Sequence, residues 1–286
     1  MLSVRDFLLK LSLCRGLSRV NKMRVWQAAQ RSRQFTRIDF LAECANLGPS
    51  SREAFVTNWH SKDLDEAVTL NRKYPLITLV DDEYPIQLKE TFCPPLVLFY
   101  RGNLDLLRCP LLGLVGSREI SQYGETVLRG MIPQIASQQI AVVSGLAKGI
   151  DGMSHRLALE HGGPTIGIIG CGLDRVYPQE NTALFEQVAN SGLILSEYGC
   201  GGPPLAFHFP ERNRIIAGLC TTVVVIEAKR RSGSLITANI ALEENRTVCA
   251  VPGRIDTVRS MGCNELIAAG AKPILKAQDV LDEFLI

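Results

Sequence analysis

The sequence predicts an α/β protein in which a doubly wound, mainly parallel sheet follows a small all-helical domain. Two observations lead to this prediction. After Pro75, short apolar runs recur, and turn residues and then an amphipathic segment follow each of them. Strands that alternate with helices form right-handed βαβ units, whose parallel sheet has helices on both faces. Before Pro75 the pattern is helical and poor in strands, so we predict domains over residues 1–73 and 74–286.

The first 73 residues have the apolar spacing of helices. Leu8, Leu11 and Leu17 begin an apolar pattern that continues through Val25–Trp26, and a break follows at residues 47–51 (LGPSS). Serines just before Glu53 are typical of a helix start. The continued apolar pattern favours a folded domain over an arginine-rich leader that is cleaved off.

Eight apolar runs are predicted to be strands because they are short and bounded by turn residues. They are Leu76–Val80, Leu96–Tyr100, Leu111–Val115, Ile140–Val143, Thr165–Ile169, Leu193–Leu195, Thr221–Ile226 and Thr247–Val251. The amphipathic segments between the later strands are predicted to be helices. They are Tyr123–Ser137, Ile150–His161, Asn181–Asn190, Arg214–Leu219, Leu235–Glu244 and Cys263–Ala269.

Composition narrows the class of protein. A hydrophobic content of 46% with 21% charged residues is typical of a soluble globular chain. No apolar run reaches the about 18–20 residues that cross a bilayer, so we expect no membrane contact. The nine cysteines are scattered and form no C-x-x-C pair. We therefore expect reduced thiols and a cytoplasmic location.

Charge is distributed unevenly along the chain. Residues 1–37 carry nine basic residues and Asp6, a net charge of +8, while the rest of the chain sums to −6. Such an asymmetry is typical of a chain with one end that faces nucleic acid. Around Cys14–Lys22 the residue spacing is also compatible with a helix–hairpin–helix motif that contacts the DNA backbone. The alternative is a compact all-helical module without such a contact.

Glycine-rich turns with cations follow the predicted strands, and open α/β sheets bind ligands at those strand ends. Gly116–Ser117–Arg118 follows one strand, and Ser144–Asp151 follows the next. The cations near these ends are Arg118, Lys148, Arg212, Arg214 and Lys229. A row of cations along one sheet edge suits a longer phosphate backbone better than a single nucleotide.

The stretch Phe207–Thr237 combines aromatic, basic and small residues around one strand. Ser232–Gly233–Ser234 opens the following helix, where free N–H groups and a helix N-terminus favour an anion. Single-strand binders combine such a groove with aromatic platforms. Strand-like alternation would turn only one phenylalanine outward, and we expect Phe209 there and Phe207 in the core.

Patterns of catalysis and metal binding do not occur in the sequence. It contains no G-x-x-x-x-G-K-[ST], no H-E-x-x-H and no G-x-S-x-G, and Gly170-x-Gly172 lacks the third glycine of a dinucleotide site. Glu197, Glu227 and Asp151 near strand ends are interpreted as helix caps and arginine partners. We therefore expect no catalytic residue, no metal and no cofactor.

Several motifs together resemble the DprA/Smf family of DNA-processing proteins over Pro75–Phe284. They are V-G-S-R at 115–118, S-G-L-A-K-G-I-D at 144–151, L-S-E-Y-G at 195–199, F-H-F-P-E-R-N-R-I-I-A-G-L at 207–219, E-A-K-R-R-S-G-S-L-I-T-A at 227–238 and V-P-G at 251–253. The resemblance implies an extended Rossmann-like fold after a sterile-alpha-motif-like domain. It also implies a protein that binds and protects single-stranded DNA without consuming it, and that loads the RecA recombinase during natural transformation, displacing single-strand-binding protein.

The resemblance also implies roles for individual residues. Gly116, Ser117 and Arg118 would hold a phosphate, Phe209 would stack on a base, and Arg212 and Arg214 would line the groove. Lys148, Lys229 and the turn Ser232, Gly233 and Ser234 complete the expected DNA-binding set. A homodimer would form through Cys263, Asn264, Leu266 and Ile267.

The chain departs from the family in two places, and two rival functions stay open. Ala206 stands where many relatives have Lys, so a phosphate contact is lost or has moved to Lys148 or Lys229. We expect no C-terminal winged helix after Asp279–Ile286. One rival is a nucleotide phosphoribohydrolase or nucleotide-ligand sensor of the same superfamily, although the P-G-G-x-G-T-x-x-E signature of those hydrolases is absent. The other is a scaffold whose recombinase contact is primary.

Overall fold

The computed structural model describes residues 3–284, and its first part consists of five helices. They are α1 (Val4–Leu13), α2 (Arg19–Ser32), α3 (Ile38–Cys44), α4 (Pro49–Trp59) and α5 (Lys62–Asn71). Serine side chains cap the first turns of α1, α2 and α5. Phe7 packs against Trp59 and Trp26, with ring centroids 5.3 and 6.4 Å away. Aromatic side chains thus hold these helices together.

Nine strands form one sheet after the helical part. They are β1 (Leu76–Thr78), β2 (Val97–Gly102), β3 (Leu111–Val115), β4 (Ala141–Ser144), β5 (Thr165–Ile169), β6 (Leu193–Ser196), β7 (Thr222–Val225), β8 (Thr247–Ala250) and β9 (Lys272–Pro273). All eight predicted strands are confirmed. The sequence did not indicate β9, because it has two residues and one of them is a lysine.

The strand order is β1-β2-β6-β5-β4-β3-β7-β8-β9. β2 is the one strand that runs in the opposite direction, so it is antiparallel to both β1 and β6. Strands β3 to β9 are parallel to each other. From β3 the chain builds outward through β4, β5 and β6, and then returns to the other side of β3 to form β7. The ends of β3 and β7 are therefore the topological switch point, where such sheets bind ligands.

The helices of this second part cover both faces of the sheet. They are α6 (Ile86–Lys89), α7 (Gln122–Ser137), α8 (Ile150–Glu160), α9 (Thr182–Ser191), α10 (His208–Leu219), α11 (Gly233–Glu243), α12 (Val258–Ala268) and α13 (Ala277–Leu281). On β3, Leu112 and Leu114 belong to the apolar cluster with α7 and α8, whereas Leu111 and Val115 belong to the cluster with α10 and α11. The predicted α/β fold class, doubly wound and mainly parallel, is confirmed.

Helix α10 begins six residues earlier than the sequence indicated, at His208 instead of Arg214. Pro210 lies in its first turn, where proline is tolerated because that N–H has no intrahelical partner. The segment with the two phenylalanines is therefore helical, and strand-like alternation does not apply to it.

The helical part packs directly on the sheet. The larger apolar cluster includes Phe7 and Leu11 of α1 together with Leu98 of β2. Arg5 also forms an ion pair with Asp81, just after β1, at 3.2 Å. Both parts thus share one apolar core, and the division at residue 73 stays a prediction. Within residues 3–284 no helix is long and apolar enough to cross a membrane.

Candidate anion and nucleic-acid site

A cavity of about 390 Å³ lies at the switch point, beyond the ends of β3 and β7. Nine of the eleven predicted DNA-binding residues line it. They are Gly116, Ser117, Arg118, Phe209, Arg212, Lys229, Ser232, Gly233 and Ser234. The structure thus brings together three segments that are far apart in the sequence.

The turn after β3 presents Arg118 at the mouth of the cavity. The Ser117 hydroxyl accepts a hydrogen bond from the Glu119 N–H at 3.1 Å and donates one to the Glu119 carbonyl at 2.9 Å. This hydroxyl therefore shapes the turn. Arg118 is exposed, and no carboxylate of residues 3–284 lies within 4.0 Å of its guanidinium group. Its charge is available to a ligand.

A glycine joins this turn to the neighbouring loop. Gly149 has φ +73°, and a Cβ there would lie 2.2 Å from the Ser117 carbonyl oxygen. The next residue, Ile150, donates its N–H to that same carbonyl at 3.1 Å. Only glycine suits this backbone conformation and this close approach. The start of α8 therefore fixes the position of the Gly116–Arg118 turn.

Arg212 forms the floor of the cavity and is buried. Its guanidinium group donates to the Ile168 carbonyl and lies so close to Gly145 that a Cβ there would be 2.0 Å from Nη1. Asp151 accepts the Gly145 N–H at 3.1 Å. Burial lowers the pKa of Arg212 and raises the pKa of Asp151, while the charge of each opposes the shift of the other. A buried cation, with a carboxylate charge nearby, thus lies beneath the site.

The N-terminus of α11 forms one wall of the cavity. No side chain caps its first turn, because the Ser232 hydroxyl pairs with the Ser234 hydroxyl at 2.9 Å. The positive end of the helix dipole therefore faces the cavity. Beside it, Lys229 lies 3.3 Å from Glu119, and both side chains are exposed. This wall offers N–H groups, hydroxyls and one ammonium group to an anion.

The two phenylalanines at the start of α10 are arranged differently from the prediction. Phe209 is half-buried, with its ring 5.2 Å from the Tyr177 ring and 5.8 Å from the Arg118 guanidinium carbon. Phe207 is 60% exposed, so its placement in the core was wrong. On a helix, residues two apart point about 200° apart, which directs Phe207 away from the cavity.

Two of the predicted cations lie outside the cavity. Arg214 was expected beside Arg212, but that placement is wrong because it points to the other side of α10. There it binds both oxygens of Glu197, at 2.6 and 2.5 Å, and the Cys93 carbonyl at 2.7 Å. Lys148 pairs with Glu180 at 2.6 Å on an exposed loop and does not line the cavity.

The carboxylates near strand ends have structural partners, as predicted. Glu197 binds Arg214. Glu227 accepts the Ser121 N–H at 3.0 Å and the Ser121 hydroxyl at the start of α7. Glu197 and Glu227 confirm the interpretation as arginine partners and helix caps, whereas Asp151 accepts a loop N–H, that of Gly145. Within the described residues, no three His, Cys, Asp or Glu side chains are grouped to hold a metal ion.

The residues predicted for the dimer interface are partly internal. Cys263 is 0% exposed and lies inside the larger apolar cluster, so its predicted place in an interface is wrong. Asn264 binds the backbone of Gly253 through both its amide atoms, at 3.1 and 3.0 Å. Leu266 and Ile267 are half-buried, and their contact with a second copy stays a prediction.

Further cavity residues were not predicted. Ala147, Asn213 and Thr237 also line it. Ala147 lies in the glycine-rich loop Ser144–Asp151 that follows β4, so its sequence position at a strand end does indicate the site. The position of Asn213 depends on where α10 begins, and nothing in the pattern around Pro210 indicated that start.

A cavity at the switch point of a doubly wound sheet, with cations and an open helix N-terminus, defines a Rossmann-like protein with an anion-binding site. A model of the family described as DNA recombination-mediator protein A matches residues 75–285. The chain belongs to this family, which confirms the resemblance to the DprA/Smf proteins.

Individual relatives agree with this membership. The chain is 51% identical to DNA processing protein DprA of Streptococcus pneumoniae over 217 residues, which are 74% of this chain and 75% of that protein. The X-ray structure of the pneumococcal protein has a TM-score of 0.90 at 42% identity and covers 99% of both chains. A structure of DNA processing protein A from Helicobacter pylori, which addresses its single-stranded DNA binding mode, has a TM-score of 0.67 at 29% identity. It covers 74% of this chain and 96% of that one.

Proposed function

We propose that this protein binds single-stranded DNA at the switch-point cavity without consuming it. One observation carries the proposal: the cavity combines Arg118, which has no ion-pair partner within residues 3–284, the open N-terminus of α11 and the Phe209 ring. The first two suit phosphates, and the ring suits a base. The single-stranded DNA binding mode of the Helicobacter relative supports the same ligand.

The proposal extends to partners through the family. The protein protects incoming DNA and loads the RecA recombinase onto it during natural transformation, displacing single-strand-binding protein in the cytoplasm. A homodimer forms through Leu266 and Ile267. The exposed Val258 on the same helix, α12, supports such an apolar contact.

A hydrolase is the less favoured function because its candidate acid–base groups are engaged. Glu197 is bound by Arg214, and Glu227 is bound by Ser121. Neither of these two residues lines the switch-point cavity, whereas the third candidate, Asp151, lines it but is buried and accepts the Gly145 N–H at 3.1 Å. We therefore propose a binding protein with no catalytic residue.

The test is a titration of labelled single-stranded and duplex DNA at two salt concentrations. We expect preference for the single strand, little sequence preference, and an affinity that falls steeply with salt. The same protein incubated with nucleoside monophosphates should release no free base. Equal affinity for duplex DNA, or turnover of the monophosphate that Glu197→Gln abolishes, would overturn the proposal.

A further inference from the structure

A second cavity, which we call the helical-side groove, lies between the helical part and the sheet. It has a volume of about 750 Å³. Residues 12–19 and the loop after β6, residues 197–203, both line it. Leu205, Phe207 and His208 line this groove, whereas Ala206, Phe209 and Pro210 line the switch-point cavity. Residues 205–210 therefore form a wall that both cavities share.

An exposed aromatic ring with rigid support stands at this shared wall. Phe207 packs edge-on against the His208 ring, with centroids 4.6 Å apart and an angle of 81°. His208 in turn stacks on Tyr198 at 3.9 Å and 21°. Phe207 is nevertheless 60% exposed. A ring that is held in place with its surface free is what a base needs for stacking.

Two arginines in the lining of the groove carry positive charge that no carboxylate of the described residues pairs with. Arg15 and Arg19 line the groove and are exposed, and within residues 3–284 no carboxylate lies within 4.0 Å of either guanidinium group. They belong to the basic first 37 residues, none of which lines the switch-point cavity.

The other ionisable groups of the groove are largely engaged. Glu197 is bound by Arg214, and Lys22 donates to the Ser12 carbonyl at 2.5 Å. Glu211 accepts a hydrogen bond from the Tyr198 hydroxyl at 3.3 Å. Among the described residues, the lining of the groove thus has one carboxylate without an ion-pair partner, that of Glu211, and two such guanidinium groups, so the groove favours an anion.

We propose that the helical-side groove holds further nucleotides of the same single strand that occupies the switch-point cavity. One base stacks on Phe207, and its neighbouring phosphates lie at Arg15 and Arg19. The inference rests on the proposed function. The shared wall of six residues spans at most about 20 Å, a distance within reach of the about 4–16 nucleotides that single-strand binders occupy.

The test compares short and long oligothymidylates, of about 4 and about 16 nucleotides, on the full chain. The double variant Arg15→Ala/Arg19→Ala should weaken binding of the long strand about tenfold and lower its salt slope by about 1.4, since each lost phosphate contact contributes about 0.7. Binding of the short strand should stay unchanged. The matched control is Arg24→Ala/Arg31→Ala, which removes the same charge from exposed positions outside the groove.

Phe207→Ala supplies an independent readout. It should weaken binding of the long strand roughly five- to hundredfold with an unchanged salt slope, because a stacked base contributes no counterion release. If the double variant matches its control at both lengths, the inference fails while the proposed function stands. If the unaltered protein binds neither strand, both fail.

Discussion

Two arginines near the same cavity illustrate how burial decides the role of a side chain. Arg118 is exposed and unpaired within the described residues, so its charge can meet a phosphate. Arg212 is 4% exposed and binds the Ile168 carbonyl beside Asp151. We expect Arg118 to set the electrostatics of binding and Arg212 to maintain the shape of the floor.

Replacing Arg118 by alanine should weaken binding to single-stranded DNA and lower the salt slope by about 0.7, because one phosphate contact with a single strand is lost. The measurement is a fluorescence titration at several salt concentrations. Arg108→Ala is the control, since Arg108 is also exposed but precedes β3, at the N-terminal end of that strand and outside the cavity. If both variants give the same slope and affinity, Arg118 is not in the site.

Replacing Phe209 by alanine should weaken binding by about 1–3 kcal/mol and leave the salt slope nearly unchanged, because stacking on a base involves no counterions. Phe209→Tyr keeps the ring and should bind as the unaltered protein does. Thermal unfolding of both variants controls for the lost contact with Tyr177. A reduced salt slope for Phe209→Ala would contradict a stacking role.

At the scale of elements, the loop between β4 and α8 holds the site together through Gly149. Gly149→Ala should lower the free energy of unfolding by about 1–2 kcal/mol for its left-handed backbone and by about 1–3 kcal/mol more for the clash with Ser117. Binding of single-stranded DNA should weaken as the Gly116–Arg118 turn moves. Urea unfolding and a DNA titration measure the two effects.

Gly162 offers a matched control for this change. It has φ +66°, but nothing lies within 4 Å of a Cβ built there. Gly162→Ala should therefore show the backbone effect alone and bind DNA normally. Equal stability losses for the two variants would show that the contact with Ser117 does not constrain the turn.

The sequence predicted the strands well because a buried parallel strand is a short, continuous apolar run. Thr165–Ile169 is an example, with all five residues buried. The start of α10 was missed because Pro210 and the phenylalanines interrupt any helical apolar spacing. Strand β9 was missed because its pairing with β8, and not its own composition, makes it a strand.

The same limits apply to the site. Residues next to strand ends, such as Gly116 and Gly233, were located because all parallel strands end at one edge. The direction of Arg214 was not predictable, since it depends on the rotational phase of α10. The ion pair of Lys148 with Glu180 also joins residues 32 positions apart, which no local pattern reveals.

At the scale of the whole molecule, one buried histidine makes stability depend on pH. His155 is 0% exposed, and burial lowers its pKa to about 3. The Thr165 hydroxyl donates to the Val142 carbonyl, so it accepts the His155 Nδ1 proton at 2.7 Å. No atom of the described residues bonds to Nε2. The fold therefore holds the neutral ring.

Lowering the pH from 7 to 5 should reduce the free energy of unfolding by about 2 kcal/mol through His155 alone. In the unfolded chain His155 binds a proton below about pH 6.5, while in the folded protein it binds one only near pH 3. The free energy of unfolding therefore decreases as the pH is lowered from 6.5 towards 3. Urea unfolding of the protein and of His155→Asn measures the difference. If the variant does not fold, an NMR titration of the histidine rings in the unaltered protein still tests the lowered pKa of His155, because this ring should stay neutral at pH 5.

The switch-point cavity is assembled from residues 116–119, 206–213 and 229–234, which meet only when β3, α10 and α11 are packed together. An unfolded chain thus lacks this cavity, so the ligand binds the native state preferentially. By mass action, an oligonucleotide at about 100 times its dissociation constant should stabilise the native state by about 2.7 kcal/mol. Melting temperatures measured with and without DNA would therefore report occupancy of the cavity without a labelled ligand. A melting temperature that does not change with DNA concentration would mean that DNA does not occupy the cavity.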